Sequence, residues 1–345
     1  MIDKKTNKVV KVNKMTYWQV AAGDRGREYS DLFFKYGIMC VGGDNQKTLR
    51  NIKEGDIVIL KRGRSEILGA GKIIERDGIV NAEDEKWLGD FDGWNLKAYA
   101  NVEWHRPEES IQAPQLLGMR TILKVPNRQH QEKADEIIAK YPRLRSEPKP
   151  NLNEISLLKD EEIVEYLISK GFRPGNAEEL TNTFNRIRLL ANFYYNECDW
   201  KEVREHETRT FLIIPLLFAL GWSEQKLKIE LGIKDRKRVD IAAFSKSFVK
   251  ALDDEMEYCK LIIESKGFQF GLGNVRKQAI AYAEAFPNCE KVIVSNGFCY
   301  KAFSKKGDTF STIPTAYTNL LKPTNKHPLY PNSEGTLGVF KLLLP

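Results

Sequence analysis

From Met15 onward, short apolar runs alternate with glycine, asparagine and charged residues, the rhythm of small β-strands. Residues 17–20, 38–43, 56–60, 67–74 and 98–104 read as strands, punctuated as a small barrel requires. Residues 31–36 read as a brief helical turn and 129–140 as a helix. Residues 142–153 hold three prolines and no apolar period, which marks a linker. Beyond it, Leu158, Ile163, Val164, Leu167 and Ile168 stripe a helix over 157–170, and a second follows over 181–195. These two form a bridge or a dimer surface. From residue 202 the pattern becomes one long helix (202–220), strands at 226–231, 238–244 and 260–265, a helix at 273–286, and a strand at 291–295. The Asn296-Gly297 turn then leads into a strand at 299–303. The tail, 306–345, ends in an apolar run expected to pack on the preceding domain or on a second subunit.

The division is therefore a basic arm (1–14), a barrel (15–141), a linker and helical bridge (142–201), an α/β domain (202–305) and a C-terminal extension (306–345). The expected class is α/β and β multidomain.

One stretch carries unusual chemistry. Leu261-Ile262-Ile263 runs straight into Glu264, with Lys266 two positions on. On a strand these two side chains project to the same side. An ion pair at the surface end of a strand is the plain reading. Asp240, however, sits inside another apolar strand, where an unpaired charge is expensive. Antiparallel pairing of the two strands brings Asp240 beside Glu264. Two or three carboxylates suffice for Mg²⁺, which keeps several of its waters. The basic stretch 234–238 precedes Asp240 and either reaches phosphates or is a solvated loop.

Composition adds limits. The chain has 345 residues, a formal net charge of +7 and 42% hydrophobic residues, which fits a globular protein with room for a polyanionic partner. Five cysteines with no CxxC pair and four scattered histidines argue against zinc and for buried thiols in a reducing cytoplasm. The start lacks the apolar run of a signal peptide, and no stretch is long enough to span a membrane. No GxxxxGK[ST] loop exists, so no ATP motor is expected. Trp87, Phe91 and Trp94 lie on one loop, where rings either sandwich a flipped base or pack the loop onto the barrel.

Several barrel motifs resemble an EVE domain, a PUA-like barrel related to the YTH readers. They are Tyr17-Trp18-Gln19-Val20, Gly23-Asp24-Arg25-Gly26, Gly37 to Gly42, Lys53 to Val58 and Gly69 to Ile73. The resemblance spans about 15–126. It implies a pocket for a flipped, modified base, mapping to Trp18 and to Asp24 or Arg25, with Trp87 or Trp94 as walls.

The second half resembles the PD-(D/E)xK nucleases, in particular the nuclease domain of type I restriction motor subunits. Six ordered blocks carry this over 202–305: Glu205 to Arg209, Ile214 to Trp222, Val239-Asp240, Ile263 to Lys266, Gln278 to Tyr282 and Val294 to Gly297. The resemblance implies an αβββαβ core with Asp240 and Glu264 as metal ligands and Lys266 orienting water or stabilising charge. It also implies Glu205 as an additional acid, with Glu207 the alternative, and Gln278 and Tyr282 as a QxxxY pair. Two departures are a polar insertion over 245–258 and valine where the family has proline before the first acid.

Together the halves suggest a modification-dependent, type IV-like restriction endonuclease acting in defence against phage. It would bind double-stranded DNA carrying a modified cytosine or another altered base, cut with Mg²⁺ or Mn²⁺, and work as a homodimer. The alternatives are an RNA- or structure-specific nuclease, and a non-catalytic binding protein built on a nuclease scaffold.

Overall fold

A computed structural model describes residues 15–23, 25–83, 86–150, 152–233, 236–249 and 256–345. The basic arm, Asp24, Lys234, Asp235 and the middle of the 245–258 insertion lie outside these. The protein is mixed α/β with two sheets, one curled into a half-barrel. Contacts group the chain into two units, residues 1–23, 29–85 and 96–148, and residues 24–28, 86–95 and 149–345.

The first unit contains β1 (Tyr17–Ala21), α1 (Ser30–Tyr36), β2 (Ile38–Val41), α2 (Gln46–Leu49), β3 (Ile57–Arg62) and β4 (Glu66–Ile73). It continues through β5 (Asn81–Ala82), β6 (Ala98–His105), β7 (Ile111–Gln112), β8 (Ile122–Lys124) and α3 (Arg128–Lys140). The sheet order is β2-β6-β4-β3-β1-β8, with β5 on β6 and β7 on β4. The pairing of β1 with β3 is parallel, and the other pairings are antiparallel. Ile57, Ile59, Ile67 and Ala70 on the sheet pack against Ala134 and Ile137 of α3. Asn127 starts that helix by accepting from the amides of Gln129 and His130.

The linker expected at 142–153 is shorter than its prolines suggest. Leu144 donates to the Trp104 carbonyl at 2.8 Å and Glu147 to that of Lys35 at 2.7 Å, so the first part is tied to this unit. Proline cannot donate to a ladder, but the residues between prolines can.

In the second unit, α4 (Asp160–Ser169) and α5 (Ala177–Asn196) precede α6 (Glu205–Thr208), a π-helical turn (Arg209–Ile213) and α7 (Ile214–Ala219). The helix expected over 202–220 is thus one rod with a widened turn. Pro215 has no N–H for the carbonyl four residues back and its ring crowds that carbonyl, and a π turn is one way to absorb both. Strands β9 (Leu227–Gly232), β10 (Arg238–Phe244) and β11 (Cys259–Ser265) follow, then α8 (Val275–Ala283) and β12 (Lys291–Ser295). The observed order from the rod to β12 is therefore α, three strands, α, strand.

The strands pair as β9-β10-β11-β12-β13, with β13 spanning Cys299–Lys306, and β11 runs parallel to β12. A parallel pair needs a crossover, and α8 supplies it. The tail belongs to this sheet: β14 (Thr309–Phe310) and β15 (Ala316–Asn319) both pair with β13, and α9 (Thr336–Leu343) buries Val339, Phe340 and Leu343 in the same core. Among the described residues no helix is long and apolar enough to cross a membrane.

Two short segments from the first hundred residues, 24–28 and 86–95, group with the second unit. Their polar atoms explain it. Asp92 pairs with Lys301 at 2.6 Å and accepts from the Leu272 amide at 2.8 Å. Asp90 accepts from the Tyr317 hydroxyl at 2.7 Å. Arg27 donates to the carbonyls of Phe91, Asp92 and Gln269 and stacks over Trp94, 4.1 Å from the ring centroid. Gly93, at φ +85°, completes the turn where a Cβ would run into the Phe298 ring.

Candidate active site

Strands β10 and β11 pair with Ile241 opposite Ile263 and Ala242 opposite Ile262. One step further on the same register, Asp240 meets Glu264. Both strands are runs of β-branched and small apolar residues buried on both faces, which is why a charge at their shared end stands out. The loop after β11 is held by the Lys266 amide donating to Ser295 at 2.8 Å, so Lys266 continues the line of the strand.

The charged groups form one connected set. Lys266 Nζ donates to Glu264 Oε1 at 2.8 Å and lies 3.8 Å from Glu205 Oε2. Asp240 Oδ2 accepts from both the amide and the hydroxyl of Ser265, at 2.7 and 2.8 Å. Asp240 Oδ1 accepts from Arg209 at 3.1 Å, and the same guanidinium donates to Glu230 at 3.0 Å. Arg209 opens the π turn, so the widened helix presents a buried cation to the strand. A Cβ at Gly267 would sit at ordinary contact distance from the carbonyl of Val203 and the amide of Glu205, so the start of the rod lies beside the end of β11.

Glu264 is only 2% exposed. Burial, with the charges of Asp240 and Glu205 added, pushes its pKa up to about 7 against the pull of Lys266. Burial also raises Glu205, with Asp240 adding to the rise and Lys266 opposing it. Burial works against the charge on Lys266, but the hydrogen bond to Glu264 and the fields of Glu205 and Asp240 outweigh it and raise its pKa. The lysine is therefore a cation at neutral pH. The other oxygen of Glu264, Oε2, is buried and has no partner among the described residues.

This set fits a hard divalent cation. Four acids (Glu205, Glu230, Asp240 and Glu264) face two cations, the donors are oxygens, and one buried carboxylate oxygen is left over. Among the described residues no group of three or more His, Cys, Asp and Glu side chains is placed to hold a metal ion. An ion that keeps most of its waters does not need one.

Glu207 does not share the site. Its carboxylate turns back to accept from the Arg204 amide at 2.9 Å, capping α6, so Glu205 is the helix acid beside Lys266. Gln278 donates to the Tyr282 hydroxyl at 2.8 Å, which keeps the QxxxY residues paired on one face of α8. Gln278 is exposed, and its amide is bonded to Tyr282 rather than to Glu264 or Lys266. Arg209 and Ser265 are partners that sequence reasoning left out. Arg209 stood in one of the ordered blocks without a role, and strict strand alternation turns Ser265 away from Glu264.

The residues expected to line a base pocket divide between the units. Trp18 belongs to the first, where it is 2% exposed and its indole N–H donates to Asp56 at 2.9 Å. Arg25, Trp87 and Trp94 belong to the second, and Asp24 lies outside the described residues. Arg25 stands at φ +49° and its carbonyl accepts from Gly271 at 2.9 Å. Trp87 is buried, and Trp94 is half-buried under Arg27. The 87–94 loop is thus packed within the second unit, because Asp90 and Asp92 find their partners there.

Compared with family models and with curated proteins, the chain finds no match.

Proposed function

We propose that the chain is a metal-dependent endonuclease that hydrolyses DNA, with a restriction-endonuclease-like core in its second unit and an EVE-like reader in its first. The observation that carries this reading is the buried Glu264 next to the half-buried Asp240, with Lys266 bonded to Glu264 and Glu205 beside it. A scaffold gains nothing from an unpartnered carboxylate oxygen in its core, whereas a phosphodiesterase needs one.

In this reading Asp240 and Glu264 hold Mg²⁺ or Mn²⁺, which supplies Lewis-acid polarisation of the phosphate and a more acidic water. Ser265 and Arg209 fix the Asp240 carboxylate, so its oxygens do not reorient when substrate arrives. Lys266, being charged, is a donor and not a base: it orients the attacking water and stabilises charge developing on the phosphate. Glu205 holds Lys266 from the side of the rod. The reader would make cutting depend on a modified cytosine or another altered base, and cutting both strands would require a homodimer.

The test is cleavage of one plasmid, with and without cytosine modification, in Mg²⁺. Selective cutting of the modified plasmid, abolished by Lys266→Ala with DNA binding retained, is the expected result. Equal cutting of both plasmids removes modification dependence, and no metal-dependent cutting of either removes the nuclease.

A further inference from the structure

The first unit has a cleft of about 890 Å³ at the end of β1 away from Gly23, and no role has yet been found for it. Its walls carry Lys53, Lys72, Arg120 and Lys124, all exposed. None of the four makes an ion pair among the described residues. Asp56, which also lines the cleft, is only 5% exposed. Its carboxylate accepts from the amides of Thr16 and Lys53 and from the Trp18 indole. Of the two acids lining the cleft, Asp56 is therefore committed to holding the strand ends together, while Glu54 stands exposed among the four rim cations.

The register spaces these cations. Lys72 on β4 is opposite Ile57 on β3, which is opposite Tyr17 on β1, and the neighbouring Trp18 is opposite Lys124 on β8. Lys72 and Lys124 therefore flank the β3–β1 pair from β4 and β8 and, because Tyr17 and Trp18 alternate on β1, reach the cleft from opposite faces of the sheet. Lys124 also lies over the Trp18 ring, 5.4 Å from its centroid, so the tryptophan forms a floor under that lysine.

We propose that this cleft binds the phosphodiester backbone of a nucleic-acid strand, with Lys53, Lys72, Arg120 and Lys124 contacting its phosphates. This rests on the nucleic-acid reading above but assigns a second contact, separate from the carboxylates that cut. Trp18 then supports Lys124 and does not stack on a base. Backbone contacts of this kind position a duplex without reading it.

The test is fluorescence anisotropy of a labelled duplex, at a series of NaCl concentrations without divalent metal, using the full chain and its Lys53→Gln/Lys72→Gln/Lys124→Gln variant. The side chains are exposed, and an unchanged melting temperature checks that the variant is folded. Expected is a loss of at least about ten-fold in affinity and a salt dependence shallower by about three, one per lost phosphate contact. Unaltered affinity and salt slope in the triple variant overturn the cleft as a backbone site, and metal-dependent cutting by that variant leaves the nuclease reading standing. Absence of both binding and cutting by the unaltered chain overturns both.

Discussion

Ser265 donates its backbone N–H and its hydroxyl to the same oxygen of Asp240, at 2.7 and 2.8 Å. A residue from the end of one strand thus fixes the carboxylate of its neighbour, leaving the other Asp240 oxygen to Arg209. Substitution Ser265→Ala keeps the amide bond and removes the hydroxyl, which costs about 1 kcal/mol of stability. Ser265→Thr retains the hydroxyl. Thermal melts, together with a titration of cutting against Mg²⁺, should show weaker metal dependence for Ala than for Thr.

Glu264 carries a pH signature. Its folded pKa of about 7 lies above its ordinary value of 4.5, so the folded protein binds the proton more tightly. Stability conferred by that proton is complete below the ordinary value and is lost as pH rises through about 7. In metal-free protein the melting temperature should fall across this window, by an amount equivalent to about 3 kcal/mol. Glu264→Gln should flatten the fall. Mg²⁺, which competes with the proton, should stabilise the protein more near pH 8 than near pH 5. Equal stabilisation at both would separate Glu264 from the metal.

Arg209 joins Asp240 to Glu230 with its own side chain only 8% exposed. Arg209→Ala leaves Asp240 without its cation in a largely buried place, a loss of about 3–5 kcal/mol. Arg209→Lys keeps the charge but not the two-pronged geometry, and should lose less. Urea unfolding of both variants measures the difference. Glu230 is half exposed, so Glu230→Gln should cost little.

Asp92 and Lys301 form a pair exposed by 6% and 12%, which ties the 86–95 segment into the second unit. Asp92→Ala strands a buried lysine and should cost about 3–5 kcal/mol in urea unfolding. Removing both charges, with Asp92→Asn and Lys301→Met, should cost less than the sum of the single changes. Additive losses would mean that the Leu272 amide bond, and not the ion pair, holds the segment.

Much of this architecture is legible along the chain. The 238–244 and 291–295 strands were readable to the residue from their apolar runs, and the alternation of Glu264 and Lys266 placed both on one side of β11. Asp240 was visible as a charge in an apolar strand. These are local signals, because side-chain period and charge burial are written within a few residues.

Other features depend on partners far along the chain. Glu205 and Glu207 are equivalent acids in sequence, and only the Arg204 amide and the Lys266 side chain separate them. The 87–94 loop reads as a barrel loop because its neighbours in sequence are barrel strands. Asp90 instead meets Tyr317, 227 residues away. The sequence by itself determined the main strands and helices of both halves and which charges are costly to bury. Tertiary structure decided which buried partner each charge would have, because a desolvated carboxylate goes wherever the assembled core offers it a donor.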